Sequence, residues 1–366
     1  MNSKSYKGNR ILIIGGYGRA GKNIALLLAK HSDHNIIIAG RDLNKANDCV
    51  KEINKSIQTT RLQSRVVDLT NTESISSALE GIELVVVASP LTYSTTQNII
   101  ETMLLSSCSL YLDISPGTEK HQAFEENQSE IEESDTTFII DAGCEPGMPA
   151  VLIKYLKTIS SQIDSVYIQM IYRNNQMPES SVKDLLGHNE KAQLLKDGIW
   201  TKAKGFKTKR ISFPMGFGKR IAVPVWVPEL ANIHIDAQIE NLEYYHAGIN
   251  RVSNLVSLMW KVLLRFILPL STGVKLFQWA IKKFTKPPIG GLLIVGGKDK
   301  NTTTEVHGFH KDIYVATAIP AASACLQMLS NDSLKSGKYF MYEPLKITGF
   351  IATCIEMGLE IKVYSK

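Results

Sequence analysis

A glycine-rich segment near the start of the chain restricts the fold more than any other feature. Gly16, Gly18 and Gly21 form the pattern G-x-G-x-x-G directly after the apolar run 11–14, and a helical pattern follows that is free of glycine and proline until past His31. In dinucleotide-binding folds these glycines allow a tight turn, close approach to a pyrophosphate, and close packing of helix on strand. The segment therefore predicts a strand, a phosphate loop and a helix.

The N-terminal part of the chain, 1–145, continues this alternation of short apolar runs and longer helical patterns. Unbroken β-branched runs suit strands that are buried on both faces of a parallel sheet, and the segments between them are long enough to be crossover helices. This part of the chain is predicted to be α/β, with a Rossmann-type doubly wound parallel sheet. The predicted strands are 11–14, 36–39, 65–68, 84–87, 110–113 and 138–141.

The chain of 366 residues is too long for one ordinary domain, and its 44% hydrophobic and 21% charged content excludes a largely disordered protein. The alternation ends near Pro146. We predict an NADP-binding Rossmann domain at 1–145 and a second α+β domain for substrate binding or oligomerisation at 146–315. The segment 316–366 is expected to pack back on the Rossmann domain.

The end of the second predicted strand indicates which dinucleotide binds. NAD-binding sites usually place an acidic residue there, to bind the ribose 2′-hydroxyl. Here that position is Gly40, and Arg41 follows, whose guanidinium suits a 2′-phosphate. NADP is therefore favoured over NAD, although a shift by one residue would place the carboxylate of Asp42 at the ribose. The predicted cofactor contacts of these two motifs are Gly16, Tyr17, Gly18, Arg19, Ala20, Gly21, Gly40 and Arg41.

Two further strand ends belong to the predicted cofactor site. Asp68 follows the third strand, where such folds often contact the adenine, and Ser89 and Pro90 follow the fourth, where the chain passes the nicotinamide ribose. Ligands of open α/β sheets bind at the carboxyl ends of the strands. A turn or helix cap is an equally good interpretation of Asp68.

The sequence resembles the saccharopine dehydrogenase-like NADP-binding oxidoreductases. The resemblance is specific from the start of the chain to about Gly147 and loose over the middle third. It departs from the common pattern at Ser89-Pro90, where many relatives have Gly-Pro. It is carried by Gly15-Gly16-Tyr17-Gly18, Ala39-Gly40-Arg41, Val67-Asp68-Leu69, Val87-Ala88-Ser89-Pro90, Tyr111-Leu112-Asp113-Ile114, Asp141-Ala142-Gly143-Cys144-Glu145-Pro146-Gly147, Gly308-Phe309-His310 and Tyr314-Val315-Ala316-Thr317-Ala318.

The resemblance implies a Rossmann domain, a substrate domain and hydride transfer with NADP(H). Some members of the family reduce imines formed from an amino acid and a carbonyl compound, and others resemble carbonyl or enoyl reductases of lipid precursors. We therefore predict an NADP-dependent oxidoreductase that acts on an imine or carbonyl of a small molecule. The alternative is a catalytically silent nucleotide-binding or peripheral-membrane protein with the same fold.

Three residues are candidates for the proton transfer that accompanies hydride transfer. Glu145 lies in a glycine-rich turn after the sixth strand, although a carboxylate stabilised at a helix N-terminus is the simpler interpretation. His310 and Tyr314 are candidates on the substrate side, and ordinary polar residues at a domain interface are the alternative. No metal site is predicted.

Composition restricts the partners and the compartment. Five cysteines without a C-x-x-C motif, and an N-terminus without an apolar signal region, favour a cytoplasmic protein. The net charge of +6 is too mild to indicate nucleic-acid binding. A homodimer is compatible with these features.

The segment 254–284 is unusually apolar. On a helical projection Arg251, Lys261 and Arg265 share one narrow arc. A core or dimer helix is the favoured interpretation, and a membrane-surface helix or the wall of an apolar pocket is the alternative. The segment shifts the expected substrate towards something apolar, whereas an amino-acid-derived substrate is what the family resemblance implies.

Overall fold

The structure is a computed structural model that describes residues 9–187, 192–203, 208–299, 302–331 and 333–365. Its strands are β1 (Arg10–Ile14), β2 (Asn35–Gly40), β3 (Leu62–Val66), β4 (Leu84–Val87), β5 (Leu110–Asp113), β6 (Thr137–Ile140), β7 (Ser165–Arg173), β8 (Gln193–Lys196), β9 (Ile199–Lys202), β10 (Lys209–Phe213), β11 (Gly218–Pro224), β12 (Asn241–Ala247), β13 (Gly290–Lys298), β14 (Thr303–His310), β15 (Gly337–Phe340) and β16 (Glu360–Ser365). Its α-helices are α1 (Arg19–His31), α2 (Leu43–Ile57), α3 (Thr72–Leu79), α4 (Tyr93–Leu105), α5 (Thr118–Glu126), α6 (Gln128–Glu133), α7 (Met148–Ile159), α8 (Glu179–Gly187), α9 (Ile233–Asp236), α10 (Arg251–Val262), α11 (Leu270–Phe284), α12 (Ile313–Ser330) and α13 (Ile347–Glu356).

The chain divides into two compact units, and each unit is discontinuous in sequence. The first comprises Met1–Val151 and Tyr314–Gly358, and the second comprises Leu152–Ile313 and Leu359–Lys366. The second unit is therefore inserted into the first, and the chain returns to the second unit at its end.

The first unit contains a parallel sheet with the strand order β15-β6-β5-β4-β1-β2-β3. The order reverses between β1 and β4, as in doubly wound folds, so the predicted fold class is confirmed. The apolar runs of β1 and β4 are buried because they lie in the middle of this sheet. Tyr111 on β5 and Phe138 on β6 pack with Phe124 of α5 in the core.

The third strand differs from the prediction. β3 begins at Leu62 rather than at Arg65, and Val66 at its end is 48% exposed. β3 forms the edge of the sheet and pairs only with β2 among the described residues. An edge strand is partly solvated, so it needs no continuous apolar run, and the short run at 65–68 is a poor guide to its limits.

The second unit contains a mixed sheet, which agrees with the predicted α+β class. The order is β10-β11-β12-β7-β13-β14-β16, and a hairpin of β8 and β9 joins through β12. β12 and β7 are parallel, whereas β7, β13 and β14 pair antiparallel. Glycines at 290, 291, 296 and 297 of β13 allow neighbouring residues to approach the backbone of this strand closely. A Cβ at Gly296, for example, would lie 2.5 Å from Tyr167 Oη.

The end of the chain requires a correction. The sequence predicts that 316–366 packs as a whole on the first unit, and β15 does join that unit by pairing with β6. However, β16 pairs antiparallel with β14 in the sheet of the second unit. The alternation of β16 shows that it is a strand, but it does not reveal which sheet edge is open to accept it.

The apolar segment 254–284 also differs from the favoured interpretation of a core helix. α10 ends at Val262, and a 3-10 turn at Leu264–Phe266 follows, so Arg265 is not on the same helix as Arg251. Leu263 is 50% exposed and Phe266 is 71% exposed. Only part of the segment, including Trp260, is buried.

Within the described residues one helix, α12, is long and apolar enough to cross a membrane by length and composition. More than half of its 18-residue window is buried inside the protein, and Ala318 and Ile319 are fully buried. α12 is accordingly a core helix of the first unit, and it is only weak evidence for a membrane span.

Candidate functional site

The loop between β1 and α1 has the geometry of a phosphate-binding turn. The backbone N–H groups of Gly15 and Gly16 donate to the carbonyl oxygen of Ala39, at 2.8 and 3.2 Å. Gly15 has a φ of +78° and is the left-handed position of the turn. A Cβ at Gly16 would lie 2.8 Å from the carbonyl oxygen of Ile13, and one at Gly21 would overlap the carbonyl oxygen of Gly15. These three glycines are required by the loop itself.

Gly18 differs from the other glycines of the loop. It is the N-cap of α1, with an ordinary φ of −69° and ψ of 165°, and no side chain caps this end of the helix. A Cβ here would approach only the carbonyl oxygen of Gly15, at 3.1 Å. The first turn of α1 contains no acidic residue. The amide groups at this helix end therefore suit a phosphate, and Gly18 leaves space for it.

The end of β2 has no acidic side chain at the usual position of the ribose ligand. β2 ends at Gly40, where a Cβ would lie 2.6 Å from the ring of Tyr17, so a larger side chain would require this ring to move. Asp42 is the N-cap of α2, and its carboxylate accepts from the backbone N–H of Lys45 at 3.1 Å. This hydrogen bond and the Lys45 ammonium lower the pKa of Asp42. Arg41, between Gly40 and Asp42 in the sequence, is exposed.

Asp68 and Ser89 lie at the neighbouring strand ends. The carboxylate of Asp68 accepts from the backbone N–H of Thr70 at 3.0 Å and from its hydroxyl at 2.9 Å, and these bonds lower the pKa of Asp68, with a smaller effect of Arg41. The side chain of Asp68 thus forms a turn. Ser89 Oγ is buried and has no hydrogen-bond partner within the described part of the chain. An unsatisfied buried hydroxyl is the kind of group that a bound cofactor would satisfy. Pro90 next to it is exposed.

A buried ionic cluster joins the ends of β5 and β6 to α5. Lys120 Nζ lies 2.6 Å from Asp113 Oδ1 and 2.5 Å from Asp141 Oδ1, and it also donates to the carbonyl oxygen of Ser115. His121 Nε2 lies 2.9 Å from Asp141 Oδ2. The side chains of Asp113, Lys120 and Asp141 are fully buried. We call these four ionisable residues the strand-end cluster.

Burial acts against every charge in the strand-end cluster, and the neighbouring charges decide the outcome for each group. Burial would raise the pKa of Asp141, but Lys120 and His121 outweigh it and lower that pKa. For Asp113, burial and the nearby Asp141 carboxylate outweigh Lys120 and raise the pKa. Burial would lower the pKa of Lys120, but the two carboxylates raise it. The cluster therefore holds Asp141 ionised and Lys120 protonated.

The turn that carries Glu145 is built on this cluster. Asp141 has a φ of +58°, and its backbone N–H donates to Asp113 Oδ1 at 3.3 Å. The N–H of Ala142 donates to the carbonyl oxygen of Asp113 at 2.7 Å. Gly147 closes the turn with a φ of +122°, and a Cβ there would lie 2.5 Å from the carbonyl oxygen of Asp141. Glu145 is half-buried between these fixed points.

The remaining predicted residues belong to different parts of the molecule. The guanidinium of Arg19 lies 5.2 Å from the ring centroid of Tyr314, so Tyr314 packs at the phosphate loop. His310 ends β14 in the second unit, and its Nδ1 lies 2.9 Å from the backbone nitrogen of Asp312. Ala20 lies in the first turn of α1. Among the described residues no group of three or more His, Cys, Asp or Glu side chains could hold a metal ion.

Sequence reasoning missed Lys120, His121 and the structural importance of Asp141. A signal was present, because Asp113 and Asp141 each end or follow an apolar strand of one parallel sheet. Two carboxylates at adjacent strand ends require a cation when they are buried. The pairing of β5 with β6, which makes these ends adjacent, is a tertiary fact that the local pattern does not contain.

Comparison with known proteins agrees with this geometry. Residues 11–139 match the family model described as the saccharopine dehydrogenase NADP binding domain. The match covers the phosphate loop, Gly40, Arg41, Asp68 and the cluster residues Asp113, Lys120 and His121. It confirms the resemblance predicted from the sequence and the NADP cofactor, and it supports an oxidoreductase without identifying a substrate.

Solved structures support the fold over the whole chain. Apo saccharopine dehydrogenase (L-Glu forming) from Saccharomyces cerevisiae is 12% identical, with a TM-score of 0.69 over 98% of this chain and 99% of that chain. At this identity the likeness shows the fold alone.

Two other structures are more distant. GenD2 from gentamicin A biosynthesis in complex with NAD is 10% identical, with a TM-score of 0.46 over 98% of this chain and 94% of that chain. A short-chain dehydrogenase/reductase from Veillonella parvula in complex with NADP is 17% identical, with a TM-score of 0.29 over 36% and 67%. Both TM-scores are below 0.5. No curated protein matches the sequence.

Proposed function

We propose, with the saccharopine dehydrogenase NADP binding domain of residues 11–139 as the premise, that the chain is an NADP(H)-dependent oxidoreductase. It transfers a hydride to or from an imine or carbonyl carbon of a small molecule. The observation that carries the proposal is the end of β2, where Tyr17 fills the space of an acidic ribose ligand and Asp42 caps α2. Arg41 is then the charged side chain offered to the ribose, and it suits a 2′-phosphate.

Different residues of the first unit bind different parts of NADPH in this proposal. The amide groups at the start of α1, with Arg19 and Ala20, bind the pyrophosphate, and Tyr314 holds Arg19 in place through its ring. Asp68 shapes the adenine end through its turn, and Ser89 Oγ donates or accepts at the nicotinamide ribose. NADPH, when bound, supplies the hydride.

Proton exchange with the substrate is assigned to Glu145. The strand-end cluster holds the start of its turn at Asp141, and Gly147 closes the turn in close contact with the carbonyl oxygen of Asp141, which limits where the carboxylate can move. A positioned carboxylate is a competent general acid or base. His310, which ends β14 in the second unit, is the other candidate, and its Nδ1 contacts the backbone of Asp312. We place the reaction in the cytoplasm, since all five cysteines are buried and none of them is in a disulfide.

The proposal is tested by following NADPH oxidation with pairs of amino acids and 2-oxo acids, and with apolar aldehydes and ketones. We expect turnover with at least one class, and faster turnover with NADPH than with NADH. Glu145→Gln should lower kcat by about 10²-fold while the NADPH affinity stays unchanged, because general acid–base catalysis contributes factors of that order. Glu133→Gln, which changes an exposed carboxylate on α6, is the matched control.

Two results would count against the enzyme. NADPH binding without turnover of any compound in the panel would favour the silent nucleotide-binding protein. Full activity of Glu145→Gln would remove Glu145 from the mechanism and would transfer the proton step to His310, which His310→Gln then tests in the same assay.

A further inference from the structure

Exposed apolar side chains are concentrated on one short stretch of the second unit. Of the 23 large hydrophobic side chains that are exposed in the described part of the chain, 11 lie between residues 255 and 284. Phe266 and Ile267, at the turn between α10 and α11, are 71% and 66% exposed, and Trp279 on α11 is 50% exposed. We call the exposed hydrophobic side chains from Leu255 to Phe284 the apolar helical face. A concentration of this kind marks an interaction surface.

The helices that carry this face pack against each other and against α8 on their buried side. Trp260 of α10 packs with Val274, Phe277 and Ile281 of α11 and with Val182 of α8 in a small buried core. The two long helices are in close contact, since a Cβ at Gly273 would lie 2.5 Å from the indole ring of Trp260. The apolar helical face is therefore the outer side of a packed helical layer and not a collapsed loop.

The segment that carries the face has charges of one sign, and the neighbouring helix α8 adds one carboxylate, Glu179, within reach of Lys275. The segment 244–298 contains no Asp or Glu, whereas seven Lys and Arg side chains lie between positions 251 and 286. Two of these cations sit against exposed aromatic rings: Arg265 lies 4.7 Å from the centroid of Phe266, and Lys283 lies 5.8 Å from that of Trp279. Apolar, aromatic and cationic side chains thus share one surface.

This combination discriminates between partners. A second copy docked through the same face would bring mostly cations opposite cations, with no carboxylate of 244–298 to pair them, which is unfavourable when the surface is desolvated. An anionic bilayer matches both kinds of side chain on the face. Its headgroups attract the cations, and its acyl boundary accepts the apolar side chains. Long Lys and Arg side chains reach the headgroups while their stems stay apolar, and aromatic rings are favoured at this depth.

We propose that the apolar helical face docks the protein on the surface of an anionic membrane. α10 and α11 lie in the plane of the interface, and Phe266 and Ile267 at the turn between them enter the acyl boundary. The helices do not span the bilayer, because they have 12 and 15 residues, each with Lys or Arg, and a span needs about 20 apolar residues.

The test uses the full chain and flotation with vesicles of phosphatidylcholine alone or of phosphatidylcholine with phosphatidylserine. We expect binding to the anionic vesicles only, and a loss of binding as salt is raised. Phe266→Asp/Ile267→Asp should reduce the bound fraction about tenfold or more, since it removes the inserted side chains and adds like charge to the headgroups. Lys282→Glu/Lys283→Glu should reduce it as strongly.

The matched control is Leu105→Asp/Ile199→Asp. These side chains are 91% and 67% exposed and lie outside the face, so the control carries the same added charge and should bind as the wild type does. NADPH affinity should stay at the wild-type value in every variant. Because the substituted side chains are exposed, unfolding temperatures should also stay close together, which keeps a loss of binding distinct from misfolding.

Three results would overturn the proposal. The first is a wild-type protein that does not float with anionic vesicles. The second is equal binding of the control and of Phe266→Asp/Ile267→Asp. The third is light scattering that shows a wild-type dimer which Phe266→Asp/Ile267→Asp dissociates, because a second copy would then occupy the face. None of these measurements depends on turnover, so the proposal can fail while the proposed oxidoreductase activity stands.

Discussion

At the scale of single residues, glycines of one motif have different physical duties. Gly21 has no space for a side chain, because the carbonyl oxygen of Gly15 occupies the position of its Cβ. Gly18 has backbone angles that any residue adopts, and its missing side chain leaves space on the open side of the loop. Gly21 is therefore required for folding, whereas Gly18 is expected to be required for ligand binding.

Valine at each of these positions separates the two duties. We expect Gly18→Val to unfold at nearly the wild-type temperature and to lose NADPH binding, since the side chain enters the space of the pyrophosphate. Gly21→Val should be strongly destabilised, because helix and strand must move apart. Thermal unfolding and calorimetric titration check both. Wild-type NADPH affinity in folded Gly18→Val would show that the loop is only structural.

Arg41 is predicted to set the cofactor preference. Its guanidinium is exposed at the end of β2, and Asp42 does not compete with it for the ribose, because the Asp42 carboxylate caps α2. Arg41→Ala should weaken NADPH binding by about 1–3 kcal/mol and leave NADH binding nearly unchanged, as expected for loss of one charge-assisted contact. Calorimetry with both cofactors measures the difference.

The control for Arg41 is Lys51→Ala, which removes a 79% exposed cation from α2. It should bind both cofactors as the wild type does. Equal affinities of the wild type for NADPH and NADH would contradict the assignment.

Residues of the loop between β1 and α1 and of the β2 end could be predicted from the sequence, because their spacing along the chain is itself the signal. The strand-end cluster could not be predicted in this way. Lys120 and His121 lie on α5, and Asp141 follows β6, so their contact depends on how the sheet is assembled. The placement of Tyr314 at Arg19 has the same origin, since the whole inserted second unit separates the two in the sequence.

At the scale of elements, the strand-end cluster is the connection between β5, α5 and β6. Lys120→Met removes the cation and leaves Asp113 and Asp141 buried without it. We expect a loss of about 3–5 kcal/mol of unfolding free energy near neutral pH, as for other broken buried ion pairs. Lys45→Met is the control, because its pair with Asp42 is largely exposed to solvent, which screens the attraction, and its loss should change stability little.

The loss should depend on pH with a defined sign. In the wild type the lowered pKa of Asp141 contributes stability that is lost as pH falls through that pKa. Without Lys120 the pKa of Asp113, which is already raised in the wild type, rises further, and that of Asp141 rises as well, so the variant gains stability as pH falls. The difference between wild type and variant should therefore be smaller at about pH 5 than at about pH 8. Urea unfolding at both pH values measures it, and an equal difference at both would contradict the role of charge.

Elements in the middle of a sheet were predicted well, and those at its margins were not. β1, β2 and β4 are apolar along their length because both faces are covered. β3 is partly solvated at the edge, so its limits are poorly marked. α10 ends at Val262 although the apolar pattern continues; Leu263, Phe266 and Ile267 directly beyond it are exposed, so the apolar pattern there does not mark a continuous helix.

At the scale of the whole molecule, the change of pattern near Pro146 marked the end of the first contiguous part, and the division falls at Val151. The return of the chain was predicted for 316–366, and β15 joins the first sheet. The destination of β16 was not predictable, because a strand pairs with whichever edge is free, and the free edge of β14 exists only after folding.

The discontinuity of the first unit has a consequence for its synthesis. β15 completes the sheet beside β6, but it is synthesised after the whole segment Leu152–Ile313 of the second unit. At ordinary translation rates, the nascent chain carries the unpaired edge of β6 for about 10 to 40 s. An unpaired edge of an apolar strand can pair with a strand of another chain. We therefore expect the aggregation hazard of the nascent chain to follow from the order of its strands and not from its length.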